Sequence, residues 1–395
     1  MKVGIVGLGF RLGYLAHVFT AEVPGFTVAG YVDPDPAGKD YAEKNGVSVG
    51  TAYDTLEALL ENEALDLLMV GSPNHMHLDH IRIGLEHGLK VFAEKPVVTT
   101  VAETMEIARL IGEHGPDSVM VGLVLRYAPL YVALRKAQAE GLIGDVASIE
   151  ASEHIPPYHG AFFMRDWRRY EKYSGSFMLE KCCHDLDLYN GVMGCRPARV
   201  ASFGGRRSFT PENKPEGLGA NDTEVYHRKP SGWLGSDKVF DSDGDIIDFQ
   251  TAIVEYANGA SLAFHTNTNV PDDFRRFCIV GARGMAEGDF IRNYFRVHDA
   301  RTSAKLIDTS FETGGLSQHY GADEQMARDI AAHMIEAKPL PVSVIDALEA
   351  GLLAICLDEA RRTRSVIDMA PIWQRFDAAL SGQHSAGAPR KVSNG

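Results

Sequence analysis

The chain has 395 residues, 45% hydrophobic and 23% charged, with a formal net charge of −14. That length allows two domains and a large core. An acidic chain without a basic stretch excludes nucleic acid and anionic membrane surfaces as natural partners, and no apolar run is long enough to span a bilayer.

Five scattered cysteines without zinc-like CxxC pairs fit a reducing, cytoplasmic setting rather than a disulfide framework. The first strand begins at about Lys2, which leaves no room for a signal peptide. Lys2 to Val6 reads as a short apolar strand. Gly7-Leu8-Gly9-Phe10-Arg11-Leu12-Gly13 follows, then helix-like Tyr14 to Thr20. Strand, glycine loop and helix is the context of a dinucleotide fingerprint. Gly7 permits the tight turn, Gly9 lets backbone approach a pyrophosphate, and the helix N-terminus offers unpaired N–H groups. Leu12 occupies the place of the third glycine, which is displaced to Gly13, so helix and strand are expected to sit less closely. The second strand, Thr27 to Val32, ends in Asp33. A carboxylate there accepts from ribose hydroxyls and repels a 2′-phosphate, favouring NAD over NADP.

Helix-like Ala37 to Asn45 and Thr55 to Asn62 precede strand Leu65 to Val70, which runs into Gly71-Ser72-Pro73-Asn74-His75-Met76-His77. A helix from Leu78 to His87 leads to Lys90-Val91-Phe92-Ala93-Glu94-Lys95-Pro96. There a buried strand end delivers a carboxylate, a lysine and a proline. The carboxyl end of a parallel strand faces the ligand crevice. The proline forces Lys95 into an extended or turn shape and makes Lys95-Pro96 a candidate cis bond. Strands alternate with helices through this part, which predicts a parallel doubly wound sheet. His75, His77 and His80 lack zinc-like partner spacing, so no metal is expected.

Helix Ala102 to His114 and strand Val119 to Val124 lead to Arg126-Tyr127-Ala128-Pro129, where the domain change is placed: residues 1–125, then 126–380, then a disordered tail from Ser381. The second domain reads as α+β with a largely antiparallel open sheet. Its strands are Val146 to His154, Ala198 to Phe203, and hairpins around Asn258-Gly259 and Arg283-Gly284. Helices Tyr320 to Ala337 and Val344 to Arg362 close it. Residues 206–247 form a long polar insertion of the kind that is usually functional or mobile. Its Asp241-Ser242-Asp243-Gly244-Asp245 departs from a calcium loop at Ile246 and Ala252.

A second chemical segment runs from Ser174 to Asp187. On a helix over residues 178–193, Glu180, His184 and Asp187 share one face. Two carboxylates flanking an imidazole fix its tautomer and raise its basicity, as proton removal from a hydroxyl requires. Arg126, Tyr127, Arg165, Trp167 and Arg168 are candidates for a substrate wall, with Trp167 available to stack on a sugar ring.

Taken together, the chain resembles the glucose–fructose oxidoreductase, inositol dehydrogenase and MocA family over nearly its whole length. The resemblance rests on Gly7 to Gly13, Asp33, Pro73-Asn74-x-x-His77, Glu94-Lys95-Pro96 and His184/Asp187 in that order. It implies a Rossmann domain, with Lys95 touching both nicotinamide and substrate, and His184 as acid/base. Gly7, Leu8, Gly9, Phe10, Arg11, Asp33, Ser72, Asn74, His77, Glu94 and Lys95 would face NAD. The family usually has aspartate where Glu180 stands. It further implies a homodimer or homotetramer paired through the open sheet. The expected activity is NAD-dependent oxidation of a secondary hydroxyl of a sugar or cyclitol. The alternatives are a glycosidase of the same family that keeps NAD bound, and a non-catalytic sensor.

Overall fold

The computed structural model describes residues 1–217, 220–311 and 319–382. The first part runs β1 (Lys2–Val6), α1 (Phe10–Glu22), β2 (Thr27–Val32), α2 (Lys39–Lys44), β3 (Thr51–Ala52), α3 (Leu56–Asn62), β4 (Leu67–Val70), α4 (His77–Glu86), β5 (Lys90–Ala93), α5 (Val101–His114) and β6 (Val119–Val121). Its six strands are parallel, in the order β3-β2-β1-β4-β5-β6. All of β4 and nearly all of β5 are buried, as strands covered on both faces require. The strand order reverses between β1 and β4. The loops after these two strands, Gly7–Gly9 and Gly71–His77, therefore flank the crevice in which doubly wound sheets bind ligands.

The second part runs α6 (Pro129–Ala139), β7 (Val146–His154), α7 (Pro157–Arg165), α8 (Glu171–Ser174), α9 (Phe177–Met193), β8 (Pro197–Gly205), α10 (Ala220–His227), β9 (Phe249–Tyr256), β10 (Ser261–Asn267), β11 (Phe274–Gly281), β12 (Gly284–Asp289), β13 (Tyr294–Asp299), β14 (Lys305–Thr309), α11 (Ala322–Glu336), α12 (Val344–Thr363), β15 (Ile367–Asp368) and α13 (Ala370–Leu380). Its nine strands lie in the order β14-β13-β12-β11-β7-β10-β9-β8-β15. All neighbours are antiparallel except β7 and β10. Both expected hairpins form, β9–β10 and β11–β12. Along β9, Gln250, Ala252, Val254 and Tyr256 are buried. Phe203, Ile253, Val280 and Leu306 share the opposite, open face and are exposed.

The central helix α9 is fixed at both ends. Ser176 Oγ accepts from Leu179 N, and Gly194 closes the C-terminus in the left-handed region, the favoured residue for that conformation. α12 lies along α9 and starts with a capping box between Ser343 and Asp346. Among the described helices, none is long and apolar enough to cross a membrane. The disordered tail expected from Ser381 lies, from residue 383 onward, outside the described residues.

One packing expectation is corrected. Leu12 does not loosen α1 against the sheet, because its partner lacks a side chain. A Cβ on Gly71 would lie 2.5 Å from Leu12 Cγ. The helix supplies the bulk and the strand end supplies the glycine. Gly13 is required elsewhere, since a Cβ there would strike the backbone of Gly38.

Candidate active site

Gly7 turns at φ +83° with its N–H donating to Val32 O at 2.9 Å, and a Cβ there would strike the Ser72 backbone. The glycine's freedom at positive φ is what lets β1 and β4 end so close together. A Cβ on Gly9 would meet nothing within 4 Å, and no side chain caps the α1 N-terminus that Gly9 opens. Open space beside orphan N–H groups suits a phosphate. Asp33 ends β2, its Oδ1 accepting from Asp35 N at 2.8 Å. Burial is the main influence raising its carboxyl above the ordinary value. These features fit a dinucleotide: a tight turn, an open pyrophosphate cradle and a ribose acceptor. Phe10 is exposed beside the loop. Arg11 is instead engaged by protein, donating to Glu94 Oε1 at 2.9 Å and Asp323 Oδ1 at 2.8 Å.

The loop after β4 braces the site. His77 lies between Ser72 O at 2.8 Å and Pro96 O at 2.9 Å, tying that loop to the cis Lys95-Pro96 turn. Ser72 Oγ meets His80 Nδ1 at 2.8 Å. Asn74 Nδ2 donates to Ser174 O at 3.0 Å and to Glu180 Oε2 at 2.6 Å. The first sheet is thereby joined to the start of α9.

Lys95 Nζ donates to Glu180 O at 2.6 Å and lies 3.9 Å from Glu180 Oε1. Glu180 also accepts from Arg168 Nε at 2.6 Å. Burial alone would raise the Glu180 carboxyl, but Lys95, Arg168 and Asn74 outweigh it and hold it below its ordinary value. One turn on, His184 is buried, and its Nδ1 has no hydrogen-bond partner among the described residues. Burial, then Lys95, Arg275, His319 and Lys181, push its imidazole well below the ordinary range. It is therefore neutral, with a lone pair available to accept a proton.

The arrangement around His184 differs from the sequence expectation. Glu180 and Asp187 do not bracket the imidazole. Glu180 serves Lys95, Asn74 and Arg168, and Asp187 takes a bidentate pair from Arg126, at 2.6 and 2.7 Å. Spacing on a helix gives a shared face but not the partner each side chain meets. Arg126 is accordingly turned toward α9. Tyr127 is buried, its hydroxyl without a partner among the described residues. Trp167 is buried, with the Arg168 guanidinium 4.2 Å above its ring, so that face is not open to a sugar. Arg165 is buried and donates to the Lys229 carbonyl.

Several residues entered the site without a sequence signal. Arg275 on β11 pairs with Asp185 at 2.6 Å and Glu153 at 3.0 Å, and Lys181 pairs with Glu153 at 2.8 Å. His319 Nδ1 lies 2.8 Å from Asp323 Oδ2. Burial would raise the Asp323 carboxyl, but Arg11 and His319 hold it well below the usual carboxylate range. These partners are far apart in sequence. Only the i,i+4 spacing of His319 and Asp323 was a signal that could have been read.

A doubly wound sheet with an open phosphate cradle and a lysine at the end of β5, beside a neutral histidine on α9 of the second part, defines a dinucleotide-dependent oxidoreductase. Residues 1–123 match the family model described as oxidoreductase family, NAD-binding Rossmann fold, and residues 131–287 match the GFO/IDH/MocA C-terminal domain. The chain belongs to the GFO/IDH/MocA oxidoreductase family. It is 23% identical to the Bacillus subtilis (strain 168) protein YteT over 397 aligned residues, 88% of this chain and 91% of that one. The fold matches levoglucosan dehydrogenase in complex with NADH, at TM-score 0.76 and 16% identity, covering 93% of this chain and 98% of that one. It also matches scyllo-inositol dehydrogenase from Lactobacillus casei with bound NAD(H) and scyllo-inositol, at TM-score 0.71 and 20% identity, covering 94% and 99%.

Proposed function

We propose that this protein oxidises a secondary hydroxyl of a sugar, sugar derivative or cyclitol, with NAD preferred over NADP. The observation that carries the reading is the Lys95 ammonium, delivered by the end of β5 and held 2.6 Å from the Glu180 carbonyl, one turn before a buried neutral histidine. Asp33 at the end of β2 supports the NAD preference, since a carboxylate repels a 2′-phosphate. Structures of similar fold carrying NADH, or NAD(H) with scyllo-inositol, support the substrate class.

Bound NAD⁺ supplies the hydride acceptor. His184 takes the hydroxyl proton as the C–H hydride leaves. Lys95 stabilises the negative charge that grows on the same oxygen, a contribution of about 3–4 kcal/mol in a water-poor site. The products are a ketone, NADH and a protonated His184. Glu180 and Asn74 hold Lys95 in register; Asp187 acts through Arg126 on the stability of α9. Removing the ammonium while keeping the chain length, Lys95→Met, should lower kcat by about 10²- to 10³-fold. NADH affinity should remain near wild type, because the glycine loop and Asp33 lie elsewhere. Turnover within tenfold of wild type would refute the assignment. The open sheet face bearing Phe203, Ile253, Val280 and Leu306 supports a dimer or tetramer, which sedimentation checks. The five cysteines, all unpaired, support a cytoplasmic location.

A further inference from the structure

The insertion over residues 206–247 brings the Lys229 ammonium to the ring that also carries the Arg168 guanidinium. Its backbone is fastened to the segment that carries Arg168. Arg165 donates to the Lys229 carbonyl, Asp166 Oδ2 accepts from Gly232 N at 3.1 Å, and Ser236 N donates to Arg165 O at 2.9 Å. Arg169 pairs with Asp243 at 2.8 Å. Asp166 spends its other oxygen on Arg168 Nη1 at 2.8 Å, so one carboxylate links the insertion to the Lys95–Glu180 cluster.

Lys229 Nζ and the Arg168 guanidinium both lie 5.4 Å from the centre of the Phe162 ring. Two cations on one ring repel unless an anion joins them. The neighbouring charges do not supply one. Lys95 and Arg168 are met by Glu180 and Asp166, and Lys181 and Arg275 by Glu153 and Asp185. Among the described residues, Lys229 has no carboxylate within ion-pair distance. Among these groups four carboxylates face five cations, and Arg165, buried beside Lys229 without an ion pair among the described residues, adds a further positive charge. Burial, then Lys181, Lys229, Lys95 and Arg168, push the imidazole of His159 well below its ordinary range, so the four cations act on one neighbourhood. Burial, and after it repulsion from Lys181, Arg168, Lys95 and Arg228, brings the Lys229 ammonium down to about 7. That is the expected mark of a cation whose partner is missing.

We infer that the substrate is an acidic sugar whose carboxylate is received by Lys229 together with Arg168. A single planar carboxylate can accept from the Lys229 ammonium and the Arg168 guanidinium at once. This inference rests on the dehydrogenase reading for the place where the sugar lies. It names the substrate class that reading leaves open, and it assigns the insertion a role in selecting substrates.

The test is calorimetric titration of the NADH-loaded protein with D-galacturonate and D-glucuronate, each beside its neutral twin, D-galactose or D-glucose, and with galactose 6-phosphate. At least one uronate should bind about tenfold or more tightly than its twin and than the phosphate ester. Lys229→Gln should erase that margin and Lys229→Arg should keep it, which separates lost charge from lost fold. Absence of a margin for both uronates, a margin that survives Lys229→Gln, or tighter binding of the phosphate ester overturns the inference. NADH formation from NAD⁺ is read separately. A Lys229-dependent uronate site without NADH formation would fail the redox reading alone. Oxidation of neutral sugars with no uronate margin would fail this inference alone.

Discussion

Replacing Asp187 by asparagine separates a structural role for this carboxylate from a catalytic one. Asp187 receives two charged hydrogen bonds from Arg126, at 2.6 and 2.7 Å. Both side chains are nearly sealed, at 9% exposure for Arg126 and 1% for Asp187. Asparagine keeps the shape but removes the charge and turns a donor toward the guanidinium. Breaking a buried pair on one side costs about 3–5 kcal/mol, because the remaining charge is left uncompensated. With an m-value of about 3 kcal/mol per M of urea, the unfolding midpoint should fall by about 1 to 1.5 M. Exchanging both partners, Arg126→Met with Asp187→Asn, removes the stranded charge and should recover part of the loss. In the folded single variant, kcat should stay within a few-fold of wild type. A midpoint shift below about 0.3 M together with a hundredfold fall in kcat would refute the reasoning and return Asp187 to His184.

Three further outcomes follow from the same contacts. Gly13→Ala drives a Cβ into the Gly38 backbone, whose N–H donates to Leu8 O in the glycine loop at 2.9 Å. It should cost about 1–3 kcal/mol of overpacking and weaken NADH binding in a fluorescence titration; unchanged affinity would contradict the loop geometry. Asp323 is held well below the ordinary carboxylate range by Arg11 and His319, against the burial that would raise it. Its stabilisation is therefore complete above about pH 4 and lost as pH falls through the depressed value. Wild type should lose urea resistance faster than Asp323→Asn below that pH, and parallel curves would count against the pairing. Uronate affinity should weaken by roughly tenfold between pH 6.5 and 8.5 as Lys229, brought down to about 7 by burial and by Lys181, Arg168, Lys95 and Arg228, loses its proton. Lys229→Arg should be flat over that range, while a wild-type affinity independent of pH would be inconsistent with an ammonium partner.

The first sheet was legible because a parallel α/β unit writes its plan locally. Each strand is a buried apolar run, each crevice residue follows its strand directly, and the Glu94-Lys95-Pro96 order is chemically unusual. The antiparallel sheet was legible at its tight hairpins and along β7 and β8. It was not legible at β13 and β14. On β14, Lys305 and Asp308 pair with one another, and Leu306 faces outward, so the strand lacks the apolar alternation that marks a half-buried one. The site failed to read wherever the partner was remote. The face shared by Glu180, His184 and Asp187 was correct, but Arg126 and Asn74 decide which carboxylate does what. Both come from other elements, 61 and 106 residues away.

Lys229 shows why the substrate was the hardest property to read. Groups that must meet the cofactor are constrained by it, so Lys95 follows its strand directly, in an order that a chain of this plan keeps. A group that selects the substrate has no such constraint. It needs one charge at one place, and a polar insertion can supply it from many positions. Here the insertion is fixed by backbone contacts to Arg165, Asp166 and Arg169, while the ammonium it delivers has no carboxylate within ion-pair distance among the described residues. The four paired cations belong to the architecture, because each is neutralised by a residue of α9, β7 or the Asp166 turn. Selectivity for a charged sugar can then be exchanged by altering the insertion alone, with Lys95 and His184 left as they are.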